Sequence, residues 1–168
     1  IYWPSTERIS GQIKDTVRTQ IKDLEANRTC AAGCVFVTHS TGDLVLRDAL
    51  TRLGQWGVNS SNFKVIAVLD FAGAGGGTEL ADVAVNVANG SGIINSVQKA
   101  AVDLFMGFTP TPSTIGVLHD LRPAAARNIA RSNNAVPRLR FVGEGTEYLG
   151  ATKAFIKGSD DSVVPMHS

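Results

Sequence analysis

Ser40 sits in the run Val35-Phe36-Val37-Thr38-His39-Ser40-Thr41-Gly42-Asp43-Leu44-Val45, between a β-rich stretch and an amphipathic helical pattern. A serine with a small residue two places to either side suits a strand-to-helix turn so tight that bulky flanking side chains would collide. Such a turn lifts the hydroxyl out at the carboxyl edge of a sheet. It also sets the Thr41 backbone N–H at the start of a helix, where unpaired donors and the positive dipole end can receive an oxyanion. The chemistry this serves is nucleophilic attack on a carbonyl through a covalent intermediate. The usual pattern is G-x-S-x-G, and here Thr38 replaces the first glycine, which is tolerated where the backbone keeps a negative φ. The competing reading is that Ser40 only caps the helix, a common task for serine.

Several elements must position that turn. Between Thr6 and Leu24, Ile9, Ile13, Val17, Ile21 and Leu24 recur at helical spacing, which predicts an amphipathic helix. Val35 to Val37 reads as a strand buried on both faces, and a helix from about Thr41 to Leu53 ends at Gly54 and Gly57. Lys64 to Leu69 is the clearest strand, closing on Asp70 and the cluster Gly73 to Gly77. Strand, helix, strand at this spacing predicts parallel pairing through a right-handed crossover. Glu79 to Phe108 reads as helical and apolar, broken by Thr109-Pro110-Thr111-Pro112. A shorter helix runs from Pro123 to about Ser132, a strand covers Leu139 to Val142, and an extended piece from Lys153 to Ile156 leads into Gly158-Ser159-Asp160-Asp161-Ser162-Val163-Val164-Pro165.

With these elements in place, four stretches carry a resemblance to the α/β-hydrolase lipases and esterases. T-H-S-T-G-D-L-V-L-R resembles their nucleophile elbow, and G-G-G-T-E-L-A-D, ending at Asp82, resembles the second half of a segment that follows the next strand in bacterial triacylglycerol lipases. L-R-P-A-A-A-R-N is similar to the helix after their lid, and G-S-D-D-S-V-V-P to their acid loop. The resemblance implies a three-layer α/β/α fold with a mostly parallel sheet, in a single domain over 1–168. A helical lid or cap insertion is expected at about 83–132, with Ile93 to Phe108 its apolar part; an ordinary core helix is the alternative. By the same resemblance Ser40 is the nucleophile, Thr41 N–H an oxyanion donor and Asp161 the triad acid, with Asp160 as fallback. A solvated acidic turn is the plain alternative for that pair.

The histidine is the gap. Chain order in this fold is serine, acid, histidine, and His167 alone lies beyond Asp161. Six residues hardly let the chain return beside Ser40, so the general base is expected outside this sequence. His39 is expected to pack locally, and His119 precedes the acid. Little precedes the elbow strand either, so the sequence reads as the middle and rear of a larger hydrolase, lacking the first strands and the histidine segment, and the isolated chain is expected to turn over esters poorly. Asp43, where many lipases carry glycine, would oppose an oxyanion unless it turned to solvent. Glu79 and Asp82 are expected to cap or open a helix.

Composition bounds the rest. The 168 residues are 43% hydrophobic and 18% charged, with a net charge of +1 and 17 glycines. That suits one close-packed α/β domain and excludes a disordered tail or a basic nucleic-acid binder. No apolar run reaches the ~20 residues of a membrane span. Cys30 and Cys34 fit a short-loop disulfide, and hence a secreted or extracytoplasmic setting, with two free buried thiols as the alternative. Three N-x-[ST] triplets, at Asn27, Asn59 and Asn89, are compatible with secretion. The expected function is hydrolysis of carboxylic esters, lipid or acyl, through an acyl-enzyme. No cofactor, metal or nucleic acid is needed, and the partners are the ester and transiently a lipid interface. The alternatives are acyl transfer on the same fold, a non-catalytic hydrolase-like binding protein, and a nucleotide-binding domain built on the Gly73 to Thr78 turn, whose fingerprint is weak.

Overall fold

In the computed structural model the described residues are 6–90, 99, 102–103, 109–131 and 135–143. Three strands, β1 (Cys30–His39), β2 (Phe63–Phe71) and β3 (Arg138–Phe141), form a parallel sheet in the order β1-β2-β3. The helices bounded within the described residues are α1 (Lys14–Ala26), α2 (Gly42–Arg52), α3 (Glu79–Ala88), α4 (Gly116–Leu121) and α5 (Pro123–Ala130). The strand-helix-strand unit expected around Ser40 is therefore β1-α2-β2, and its strands are parallel as expected.

The helix expected over Thr6 to Leu24 starts differently. A π-type turn, Ile9–Ile13, comes first and kinks at Gly11 (φ −104°, ψ −119°) before α1 begins at Lys14. Its apolar stripe holds as read from the sequence: Ile9, Ile13, Val17 and Ile21 are all buried. Arg8 pins this segment to α4, its guanidinium donating to Asp120 Oδ1 at 2.6 and 3.0 Å while the Ile9 N–H donates to Oδ2 at 2.7 Å. The long helix expected from Glu79 stops at Ala88, where the Asn89 N–H donates to the Val85 carbonyl at 3.1 Å and the Gly90 N–H to the Val87 carbonyl at 3.2 Å. The apolar stretch expected as a lid lies mostly outside the described residues.

Two register irregularities shape β1 and β2. Cys34 pairs with Val65 and Val35 with Ala67, so Ile66 bulges out of the ladder. The bulge keeps Val65 and Val68 on one face. Between Cys30 and Cys34 the chain loops out of register, and the two cysteines are joined by a disulfide with Cα atoms 5.1 Å apart.

Helices pack on the face bearing Phe36, Val65 and Val68. Ile13, Val17, Leu44, Val45, Ala81, Ala84 and Leu118 join one core there, with Leu46, Leu50 and Val68 in an adjoining cluster. The other face corrects an expectation. Val35 and Val37 were expected to be buried on both sides, yet among the described residues that second face stays open, with Val37 67% and Leu139 57% exposed. Phe71 and Phe141 stack on it with ring centroids 4.4 Å apart. The triplet asparagines Asn27, Asn59 and Asn89 are all exposed. Among the described residues no helix is long and apolar enough to cross a membrane.

Candidate active site

Ser40 occupies the step between β1 and α2 with φ +52°, the left-handed region that a residue with a Cβ seldom enters. Such a backbone costs of order 1 to 3 kcal/mol and survives only where its surroundings over-determine it. Here three backbone bonds do so. The Ser40 N–H donates to the Phe71 carbonyl at 3.1 Å, and the Ser40 carbonyl accepts from the Asp43 and Ala74 N–H groups, each at 3.1 Å. The helix cap is Thr41, in αR geometry and without a side-chain capping bond. A capping serine would instead precede the helix in extended backbone with its hydroxyl turned onto the first turn. Among the described residues the Thr41 N–H donates to no backbone carbonyl, as befits a position ahead of the first helical bond.

The glycine turn after β2 lies against the elbow. Ala72 also has a left-handed backbone, φ +46°, and its N–H donates to the Phe141 carbonyl at 2.8 Å. Residues 73–78 are all buried. A Cβ on Gly73 would collide with the Asp70 carboxylate, and one on Gly77, at φ +79°, would come within 2.6 Å of the Leu121 carbonyl and 2.7 Å of Pro123 Cα. These glycines serve close packing. A phosphate cradle needs its N–H groups open to a ligand, so the turn gives the nucleotide-binding alternative no support.

Beneath the elbow lies a charged cluster that the sequence does not announce. Asp43 and Asp70 are both fully buried. Arg47 Nε donates to the two Asp43 oxygens at 2.9 and 3.0 Å, Arg138 donates to Asp43 Oδ1, and Arg140 stands 3.7 Å from Asp43 Oδ2. Arg140 Nε also donates to Asp70 Oδ2 at 3.4 Å, and the Thr38 hydroxyl donates to Asp70 Oδ1 at 2.8 Å. Burial, aided by the Asp70 charge, pushes the Asp43 carboxyl above its ordinary value, while Arg47 and Arg138 pull it down. Asp43 thus corrects the expectation drawn for it: it turns to arginine, not to solvent, and three guanidiniums answer two carboxylates. The missed signal was the phase of the strands. Asp70 two places after Val68, and Arg138 and Arg140 alternating with Leu139 and Phe141, put opposite charges on the face that helices cover.

The remaining candidates fall as follows. His39 is exposed and aligned with Phe71, on the sheet face opposite Thr38. His119 lies on α4, its imidazole pKa lowered by burial and then by the charges of Arg8 and Arg122. Glu79 and Asp82 stand in the first turn of α3, behind Thr78, whose hydroxyl accepts from the Leu80 N–H at 3.3 Å, and Asp82 pairs with Arg122 at 2.5 Å. Asp160, Asp161 and His167 lie outside the described residues. A recess of about 430 Å³ reaches His39 and Gly42, between Val17 and Ile21 of α1 and Phe36 and Val45. It follows the edge of β1 away from β2, a place where backbone groups call for another strand, so it carries no argument about an acyl group. Among the described residues no cluster of metal-ligating side chains occurs.

No protein-family model matches the sequence, and no curated protein does. Solved structures do. The mature lipase BlEst2 of Bacillus licheniformis matches with a TM-score of 0.64 and 12% identity, over 95% of this chain and 60% of that one. Phospholipase PlaB of Legionella pneumophila matches with a TM-score of 0.63 and 13% identity, over 98% of this chain and 35% of its own; a complex of that enzyme with thio-NAD matches as well. A metagenomic carboxyl esterase matches with a TM-score of 0.57 and 17% identity, over 98% and 47%. The chain spans 60% or less of the length of each of these proteins. Parallel strands, the left-handed serine between strand and helix, and these neighbours agree on one architecture: the chain has the α/β-hydrolase fold.

Proposed function

We propose that this chain bears the nucleophile of a serine carboxylic-ester hydrolase of lipase type. The observation that carries the reading is the left-handed Ser40 at the carboxyl end of a parallel strand, directly ahead of a helix. In this reading the Ser40 hydroxyl attacks the ester carbonyl and gives its proton to a histidine. The carbonyl oxygen, now negative, is received by the Thr41 N–H at the helix start. Collapse of the tetrahedral species expels the alcohol, which takes the proton from the histidine, and water then releases the acid by the same steps in reverse order. Asp161 orients the histidine. The neighbours named as lipase, phospholipase and carboxyl esterase support an acyl ester as substrate. Exposed triplet asparagines and a disulfide support a secreted or extracytoplasmic setting.

The test is ester turnover by the full-length protein. With a p-nitrophenyl acyl ester, Ser40→Ala is expected to lower kcat by about 10⁴ to 10⁶. A loss under tenfold, or no turnover by the unaltered protein over a range of acyl esters, would refute the reading in favour of a binding protein on this fold.

A further inference from the structure

The strained serine is held by bonds to two pieces of chain, and both are tied down by the buried charges beneath them. Phe71, which accepts the Ser40 N–H, directly follows Asp70. Ala74, which donates to the Ser40 carbonyl, directly follows Gly73, whose own carbonyl accepts from Arg140 Nη2 at 3.4 Å. Asp70 is the hub. One oxygen accepts from Thr38 on β1 and the other from Arg140 on β3, so one carboxylate joins the carboxyl ends of all three strands. Arg140 reaches on towards Asp43 in the first turn of α2. Every element that meets at Ser40 is thus linked to this cluster. Thr38 stands where the elbow pattern has glycine, a residue that could make no such bond.

Resting on the reading of Ser40 as nucleophile, we propose that Thr38 is a positioning residue for it: its hydroxyl, held on Asp70 and through Asp70 on Arg140, fixes the end of β1 against β2 and so sets the attack geometry of the serine. Thr38 touches no substrate and acts through the backbone two residues on.

The experiment is the kinetics of labelling by a fluorophosphonate in the full-length protein. It reads the maximal labelling rate, the half-saturating probe concentration and the fraction labelled at completion. Thr38→Val keeps the shape and removes the hydroxyl, while Thr38→Ser keeps the hydroxyl. The expectation for Thr38→Val is a maximal rate about tenfold lower or more, with the half-saturating concentration within twofold and labelling still complete; Thr38→Ser should recover most of the rate. A residue that only stabilises the fold would lower the fraction labelled and the thermal midpoint but leave the rate of the folded fraction unchanged, and that result would overturn the proposal. So would a Thr38→Ser rate as low as that of Thr38→Val. Should the valine variant not fold, Thr38→Ala removes the hydroxyl without setting a second methyl against Asp70 and is read the same way. Failure of the unaltered protein to label at Ser40 is a separate outcome, which removes the nucleophile reading itself.

Discussion

The strand-to-helix turn at Ser40 was legible in the sequence because so sharp a turn restricts its own neighbours, and those restrictions are local: Thr38, Gly42 and the periodicity on either side. The cluster under it was not. Thr38 and Asp70 are 32 residues apart and Asp43 and Arg138 are 95 apart, and no local pattern says which strands pair. Asp43 is the sharpest case. Its place beside the serine set it against an oxyanion unless it turned to solvent, whereas strand pairing brings Arg138 to it. Removing one partner of a buried ion pair leaves the others uncompensated. Asp43→Ala is therefore expected to destabilise the protein by on the order of 3 kcal/mol in urea unfolding, well beyond the effect of an ordinary exposed helix acid; a change within the scatter of surface substitutions would show that the cluster is not coupled to the fold.

At the scale of elements, sequence patterns located β2, α2 and the α1 stripe closely, because burial of one face imposes a period that the residues display. They missed where elements stop. The run from Glu79 onward stays apolar and helical in composition, but Asn89 caps α3 and ends it. The two faces of β1 were also not distinguishable, since valine suits an open apolar face as well as a covered one. The cysteines were read correctly as a pair. Their bridge closes a separation of 4 residues, and chain entropy for a loop that short corresponds to about 2 kcal/mol. Reduction, or Cys30→Ser with Cys34→Ser, is expected to lower unfolding stability by about that amount. Ser40 lies beyond the paired stretch from Val35 to His39, so its labelling rate should change less than twofold. A large loss of labelling at unchanged stability would place the disulfide in the active-site account instead.

At the scale of the whole molecule, length and composition gave a domain-sized core, and the fold confirms an α/β arrangement, while the activity is a proposal for a chain that spans 60% or less of each neighbour's length. Proton binding offers a global readout. The His119 pKa is lowered in the folded chain, first by burial and then by Arg8 and Arg122. The folded state therefore binds the proton less readily than the unfolded state, and stability present above the ordinary histidine value of about 6.5 is lost as pH falls through the lowered folded value. His119→Gln should flatten that part of the stability-against-pH curve, measured by denaturant unfolding between neutral and mildly acid pH. An unchanged slope would mean that the imidazole is as solvated folded as unfolded.

The most direct check of the central claim is covalent. Full-length protein is treated with a fluorophosphonate, digested, and the modified peptide sequenced by mass spectrometry. One adduct on Ser40, absent from Ser40→Ala and from denatured protein, is the predicted result; modification of another serine, or none while the protein is folded, would contradict it.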